Sequence, residues 1–208
     1  MIKRMLTFAA LAAVAVLGTS CTSPAGSIYP MTVGSVWNMS IIMLSGPTTA
    51  SLDTIETETQ TTTALEKAKL INGREVTKFE SDLTIHFKQQ DTAVASTTYC
   101  YVAEVGDTIL KYTDLDDTVG VPKMRSTPAV GQTWTEGSSG DATVVGQEDV
   151  TVAAGTYKGA WKVRRATIIA NIYEWYIPGT GLVKMYYDTT VGGNETVYNS
   201  ELTSATIK

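Results

Sequence analysis

Few groups in this chain are equipped for chemistry. It has one histidine, His86, and two cysteines, Cys21 and Cys100. A single imidazole excludes a multi-histidine metal site and leaves a hydrolytic triad one candidate base, which must lie within hydrogen-bond reach of its nucleophile. No Gly-x-Ser-x-Gly elbow is present. Asp114, Asp116 and Asp117 cluster as a hard cation would require. Their spacing lacks the glycine and terminal glutamate of the helix-flanked calcium loop, so a solvated acidic loop is expected and no metal is assigned. Glu148 and Asp149 are adjacent, and a strand would send them to opposite faces. Cys100, between Tyr99 and Tyr101, has the setting of a small buried hydrophobe on a strand. No enzyme and no cofactor is expected, although a carboxylate-only hydrolase stays open as the weakest reading.

Cys21 has a different context. Lys3 and Arg4 precede an uncharged run from Met5 to Leu17, and Gly18-Thr19-Ser20-Cys21 follows. This is the order of a secretory n-region, h-region and small-residue cleavage site. The run is marginal for a permanent span of about 20 residues, which favours cleavage. The last residues resemble the lipobox of bacterial lipoproteins, with Gly18 where an aliphatic residue is usual. The resemblance implies cleavage before Cys21 and acylation of its thiol with palmitate-like chains; an ordinary secretory signal followed by a free or disulfide-bonded Cys21 is the alternative. The expected division is a signal peptide over 1–20, a lipidated tether over 21–28 and one antiparallel β domain over 29–208. No aspartate follows Cys21, which by resemblance to enteric sorting habits implies the outer membrane, facing the periplasm.

Composition supplies the elements. The chain carries 21 acidic and 16 basic residues, a formal charge of −5. Loss of Lys3 and Arg4 with the leader would take this to −7, the wrong sign for a nucleic-acid binder. The composition is rich in Thr, Val, Tyr and Gly, and β-branched and aromatic side chains fit a pleated surface better than a helix. The pattern predicts strands over Val36–Leu44, Asp53–Thr63, Leu65–Ile71 and Arg74–Phe87, with Asn72-Gly73 as a two-residue hairpin turn. Further strands are predicted over Ser96–Val105 and Thr108–Tyr112, then a loop over Thr113–Pro128. Leu83, Ile85 and Phe87 share one face and Thr84, His86 and Lys88 the other, which leaves His86 as polar surface. The C-terminal part predicts a meander over Thr143–Val152, Tyr157–Ile169, Ile172–Ile177, Leu182–Asp188 and Thr196–Ile207. Its turns are marked by Gly155 and by Pro178, Gly179 and Gly181. A weak repeat places Pro30 and Val33-Gly34-Ser35-Val36-Trp37 beside Pro128 and Val130-Gly131-Gln132-Thr133-Trp134. It reads as two similar strand starts or as coincidence.

The stretch Val144 to Tyr157, then Trp161-Lys162-Val163 and Trp175 to Lys184, resembles a family of bacterial lipoproteins labelled TapB-like. That family carries a VTVPAGTF-like turn and a WYAPGVGLVK-like hairpin. This chain departs from it at Ala153, Tyr157 and Thr180. The resemblance implies the fold of periplasmic lipoprotein carriers and lipid-binding lipoproteins: all-β, with a strongly curved antiparallel sheet, a half-barrel or a closed barrel, and few or no helices after the signal peptide.

A curved sheet either fills its concave face with its own loops or leaves an apolar groove. The first functional expectation is therefore a membrane-anchored envelope lipoprotein with a non-enzymatic binding or carrier role. Its ligand is an acyl chain, another lipoprotein's lipid or an extended peptide, with Trp161, Trp175, Tyr176 and Tyr187 as candidate lining residues. The second is a structural or assembly role in which an exposed strand edge takes a protein partner.

Overall fold

The computed structural model describes residues 20–21, 27–137, 140–168 and 170–208. The leader up to residue 19 and the tether residues 22–26 lie outside these. The described strands are β1 (Ser20–Cys21), β2 (Val36–Gly46), β3 (Asp53–Lys69), β4 (Glu75–Phe87), β5 (Thr92–Val105), β6 (Thr108–Tyr112) and β7 (Val121–Arg125). After these come β8 (Thr133–Thr135), β9 (Asp141–Val152), β10 (Gly155–Ala166), β11 (Asn171–Ile177), β12 (Gly181–Val191) and β13 (Asn194–Thr206). No α-helix occurs among the described residues.

Twelve strands form one antiparallel sheet in the order β7-β6-β5-β4-β3-β2-β13-β12-β11-β10-β9-β8. Every neighbour along this path is also a neighbour in sequence except β13 beside β2, which joins two meanders. The sheet is strongly curved and nearly closes into a barrel, with β7 and β8 at its two free edges. The two-residue β1 pairs in parallel with Thr156 and Tyr157 of β10. The core collects the inward rows: Trp37 and Met39 of β2, Phe79 of β4, Val102 of β5, Val144 of β9, Val163 of β10 and Leu202 of β13 are all buried. Ile28, only 1% exposed, belongs to the same core.

Three elements differ from the sequence expectation. Asp53–Thr63 and Leu65–Ile71 merge into the 17-residue β3, because a register shift between Ala64 and Glu66 absorbs the break in alternation. The hairpin after it has three loop residues, not two. Leu70 N–H donates to Arg74 O at 2.9 Å, and of the loop residues only Gly73 has a positive φ, +81°. A two-residue type I′ turn needs positive φ at both positions, so the chain uses a three-residue loop with a left-handed glycine. The span Thr113–Pro128 is not all loop, since it contains β7. Pro122 obscured this strand, but β7 is an edge and Pro122 sits at the register shift opposite Leu110, where the missing N–H costs the ladder nothing. The first part of that span does loop. Asp117 accepts the N–H groups of Thr113 and Asp114 at 2.7 and 2.9 Å. This lays Leu115 over a small outer cluster of Leu70, Val76, Ala103 and Tyr112.

The weak repeat is real in geometry. Gly34 and Gly131 have φ of +87° and +86°. Gly34 N–H donates to Ala64 O at 2.7 Å, and Ala64 N–H to Ser35 O at 2.9 Å. In the second copy Gly131 N–H donates to Val144 O at 2.8 Å, and Val144 N–H to Gln132 O at 2.9 Å. Each copy thus feeds a strand and buries its tryptophan, Trp37 or Trp134.

Candidate functional site

Inward rows of neighbouring strands converge on a pocket. Strand register sets Trp37 and Met39 of β2 beside Thr62 and Gln60 of β3, and Thr62 beside Ser81 of β4. Phe79 of β4 stands beside Cys100 of β5. Lys111 of β6 and Lys123 of β7 complete one wall, and Tyr29, Pro30, Gly181 and Leu182 come from the other side. The space between them is about 210 Å³. Its floor is aromatic, with the Tyr29 and Trp37 rings each 6.0 Å from that of Phe79.

The turn before β12 holds this floor in place. Thr180 N–H donates to Ile177 O at 3.0 Å, and Gly179, with φ of +77°, accepts the third turn position after Pro178. Trp37 Nε1–H then donates to Thr180 O at 2.6 Å, which fixes the indole. Gly181 has φ of +91°, and a Cβ there would come within 3.3 Å of Pro30 Cδ and 3.6 Å of Trp37 Nε1. Glycine is what allows the turn to approach the pocket wall so closely.

Behind the lysine wall lies a buried charge network. Arg165 of β10 donates from Nε to Glu174 at 2.5 Å and from a terminal nitrogen to Lys123 O at 2.7 Å, and it also pairs with Glu136. Tyr176 O–H donates to Glu174 at 2.7 Å, and the Lys123 ammonium lies 3.4 Å from the same carboxylate. Burial alone would raise the Glu174 pKa. The Lys123 and Arg165 charges and the Tyr176 and Arg165 hydrogen bonds outweigh it and hold the carboxyl at about 2. Burial pushes Lys123 below the usual lysine range, with Glu174 opposing. The network also closes the sheet, since Lys123 belongs to one free-edge strand and Glu136 directly follows the other.

The concave face continues beyond the pocket. Past Gln60 the inward row of β3 carries Glu58 and Glu56, beside Ile41 and Met43 of β2 and Ile85 and Phe87 of β4. Glu58 is 8% exposed, and burial together with the neighbouring Glu56 raises its pKa to about 7. Tyr187 and Tyr198 stack nearby with centroids 5.0 Å apart. This trough row therefore runs from carboxylates to the lysines of the pocket, and it is covered at Ile41 and Glu58, which are 2% and 8% exposed.

The four aromatic residues singled out from sequence do not line this pocket, although Trp161 and Tyr176 are register partners on β10 and β11. Tyr176 is fully buried in the charge network. Trp175 donates its indole N–H to Glu148 at 2.7 Å and packs beneath Lys162, whose ammonium is 4.9 Å from the ring centroid. Trp161 is half-buried against the core. Tyr187 stands in the trough row with Tyr198, Met43 and Glu56. The pocket instead uses Tyr29, Trp37, Phe79, Cys100, Lys111 and Lys123, which sequence reasoning did not select. The available signal was lysine at an inward position: Lys111 lies two residues beyond the buried Ile109 and so shares its face.

The site holds no activated nucleophile. Burial raises the Cys100 thiol, with the Lys111 and Lys123 charges opposing, so the thiol stays protonated near neutrality. His86 is exposed and paired in register with Thr57 and Ala93. Glu148 and Asp149 take separate lysines, Lys162 and Lys158. Among the described residues no three His, Cys, Asp or Glu side chains gather where a metal ion could be held.

No family model matches the sequence, and no curated protein sequence matches it. Two crystal structures are similar to the chain at low identity. One is a provisionally named lipoprotein of Parabacteroides distasonis, 14% identical, with a TM-score of 0.41 over 88% of this chain and 100% of that one. The other is a provisionally named exported protein with a YmcC-like fold from Bacteroides fragilis, 13% identical, with a TM-score of 0.43 over the same shares.

Proposed function

We propose that the protein is an envelope lipoprotein of the TapB-like kind, anchored through acylated Cys21. In this reading it is non-enzymatic and binds or carries an apolar, lipid-like chain in the concave face of its sheet. The observation that carries the reading is the pocket of about 210 Å³, floored by Tyr29, Trp37 and Phe79. Small-molecule sites are concave, mostly apolar and supplied with a few placed polar groups, and this one has those attributes. The leader and the lipobox-like residues support an outer-membrane address facing the periplasm. Mass spectrometry of the protein purified from membranes tests both parts. Acyl groups on Cys21 and a co-purified acyl-chain compound are expected, and an unmodified Cys21 with an empty trough would refute the proposal.

A second reading, assembly with a protein partner, is favoured by one feature. β5 runs for 14 residues, but β6 pairs only with Tyr101–Val105, so on the side away from β4 the stretch Thr92 to Thr98 has no strand beside it among the described residues. That edge contains no lysine, proline or bulge, the usual means of blocking strand addition. Crosslinking in intact cells from a photoreactive group at Ala95 separates the readings. A discrete protein adduct favours assembly, and its absence favours the small ligand.

A further inference from the structure

The pocket is apolar on its floor and cationic on one wall, and the charge count there does not balance. Lys123, Lys111 and Arg165 face two carboxylates, Glu174 and Glu136, and Arg165 engages both. Lys111 has no carboxylate within ion-pair distance among the described residues, although it projects into the pocket. Further along the inward row of β3 the ionisable side chains are Glu56 and Glu58. An anionic head is therefore favoured beside the lysines and disfavoured toward the two glutamates.

We infer that the pocket takes a single-chain amphiphile with an acidic head, carboxylate or phosphate, seated between Lys111 and Lys123. Its alkyl chain runs over Phe79, Trp37 and Met39. The pocket has room for about seven water-sized units, or about as many methylenes, before the chain meets solvent. This inference rests on the concave-face binding reading above and specifies its ligand class. Recognition joins charge pairing, which fixes the head, to apolar burial, which supplies most of the affinity.

The test titrates the purified protein with three twelve-carbon probes, each below its micelle concentration: laurate, dodecyl phosphate and dodecyltrimethylammonium. Binding is followed by calorimetry and tryptophan fluorescence. At least one anion is expected to bind one to one and at least tenfold tighter than the cation, and the tighter anion identifies the head as carboxylate or phosphate. Lys111→Gln should weaken that anion about tenfold and leave the cation unchanged. Because Lys111 is exposed, the variant should melt at the parent temperature. Equal affinities for all three probes, or an unchanged anion affinity in Lys111→Gln, would overturn the acidic-head inference while leaving the apolar groove standing. Failure of all three to bind would overturn both.

Discussion

The two ends of the β3-β4-β5 wall are built from the same strands yet are treated oppositely. At one end Val76, Thr77 and Phe79 of β4 and Val102 and Ala103 of β5 are buried. At the other, Leu83 and Ile85 are half-buried and β5 is exposed from Thr92 to Tyr99. Strand length is the cause. β6 and β7 have five residues each and can cover only the C-terminal part of β5. Where they reach, a buried arginine ties the sheet's free edges and the pocket is cut between Phe79, Lys111 and Lys123; where they do not, β5 is left exposed. One sheet thereby provides a covered end that holds both the charge network and the pocket, and an uncovered end whose β5 edge faces solvent.

The sharpest way to break that contrast is to remove the arginine. Arg165→Ala leaves Glu174 and Glu136 buried without their partner and should cost about 3 to 5 kcal/mol in denaturant unfolding. Hydrogen exchange should rise first in β7 and β8, and uniform loss of protection across the sheet would contradict the assigned role. Replacing Arg165, Glu136 and Glu174 together with apolar residues of similar volume should recover most of that loss.

A smaller effect comes from acidity, with opposite signs at the two ends. Glu174, with a folded pKa near 2, contributes stability that is complete above the unfolded carboxyl value and lost as the pH falls through 2. Glu58, with a folded pKa near 7, does the reverse. Its folded form holds the proton more tightly, so stability declines as the pH rises from the unfolded value through 7. Glu58→Gln should remove that decline and be more stable than the parent at pH 8 by about 1 to 3 kcal/mol. Thermal melts from pH 4 to 8 decide it, and parallel curves for the two proteins would show that Glu58 does not titrate in this range.

The least costly change lies on the open edge. Val94 is 53% exposed, and Val94→Thr should shift stability by less than about 0.5 kcal/mol. The amides of Thr92 to Thr98 that point away from β4 should exchange quickly, while those of Val102 and Ala103 stay protected. A large loss of stability in the variant would mean that the edge is covered.

Much of the architecture was legible because alternation and turn chemistry are local. The C-terminal strands follow from runs such as Tyr173 to Ile177 bounded by Asn171 and Pro178-Gly179. The inward set Leu83, Ile85 and Phe87 follows from a period of two. What escaped was nonlocal. β7 is a strand because β6 offers it a partner at a place that tolerates Pro122, and nothing in Val121–Arg125 alone says so. The pocket joins Tyr29, Phe79, Lys111 and Leu182, four segments whose meeting depends on the sheet's curvature. The aromatic residues that stood out by type, Trp175 and Tyr176, are held by Glu148 and by Glu174 with Arg165. Aromatic identity marked them as important without revealing whether they serve packing or a ligand.

Tyr29 and Pro30 form part of the pocket wall and Ile28 is core, while Ser20 and Cys21 lie in register with Thr156 and Tyr157 of β10. The eight steps from Cys21 to Tyr29 can stretch no farther than roughly 28 Å. A lipid on Cys21, as proposed, would thus keep the mouth of the pocket within a leaflet's reach of the bilayer.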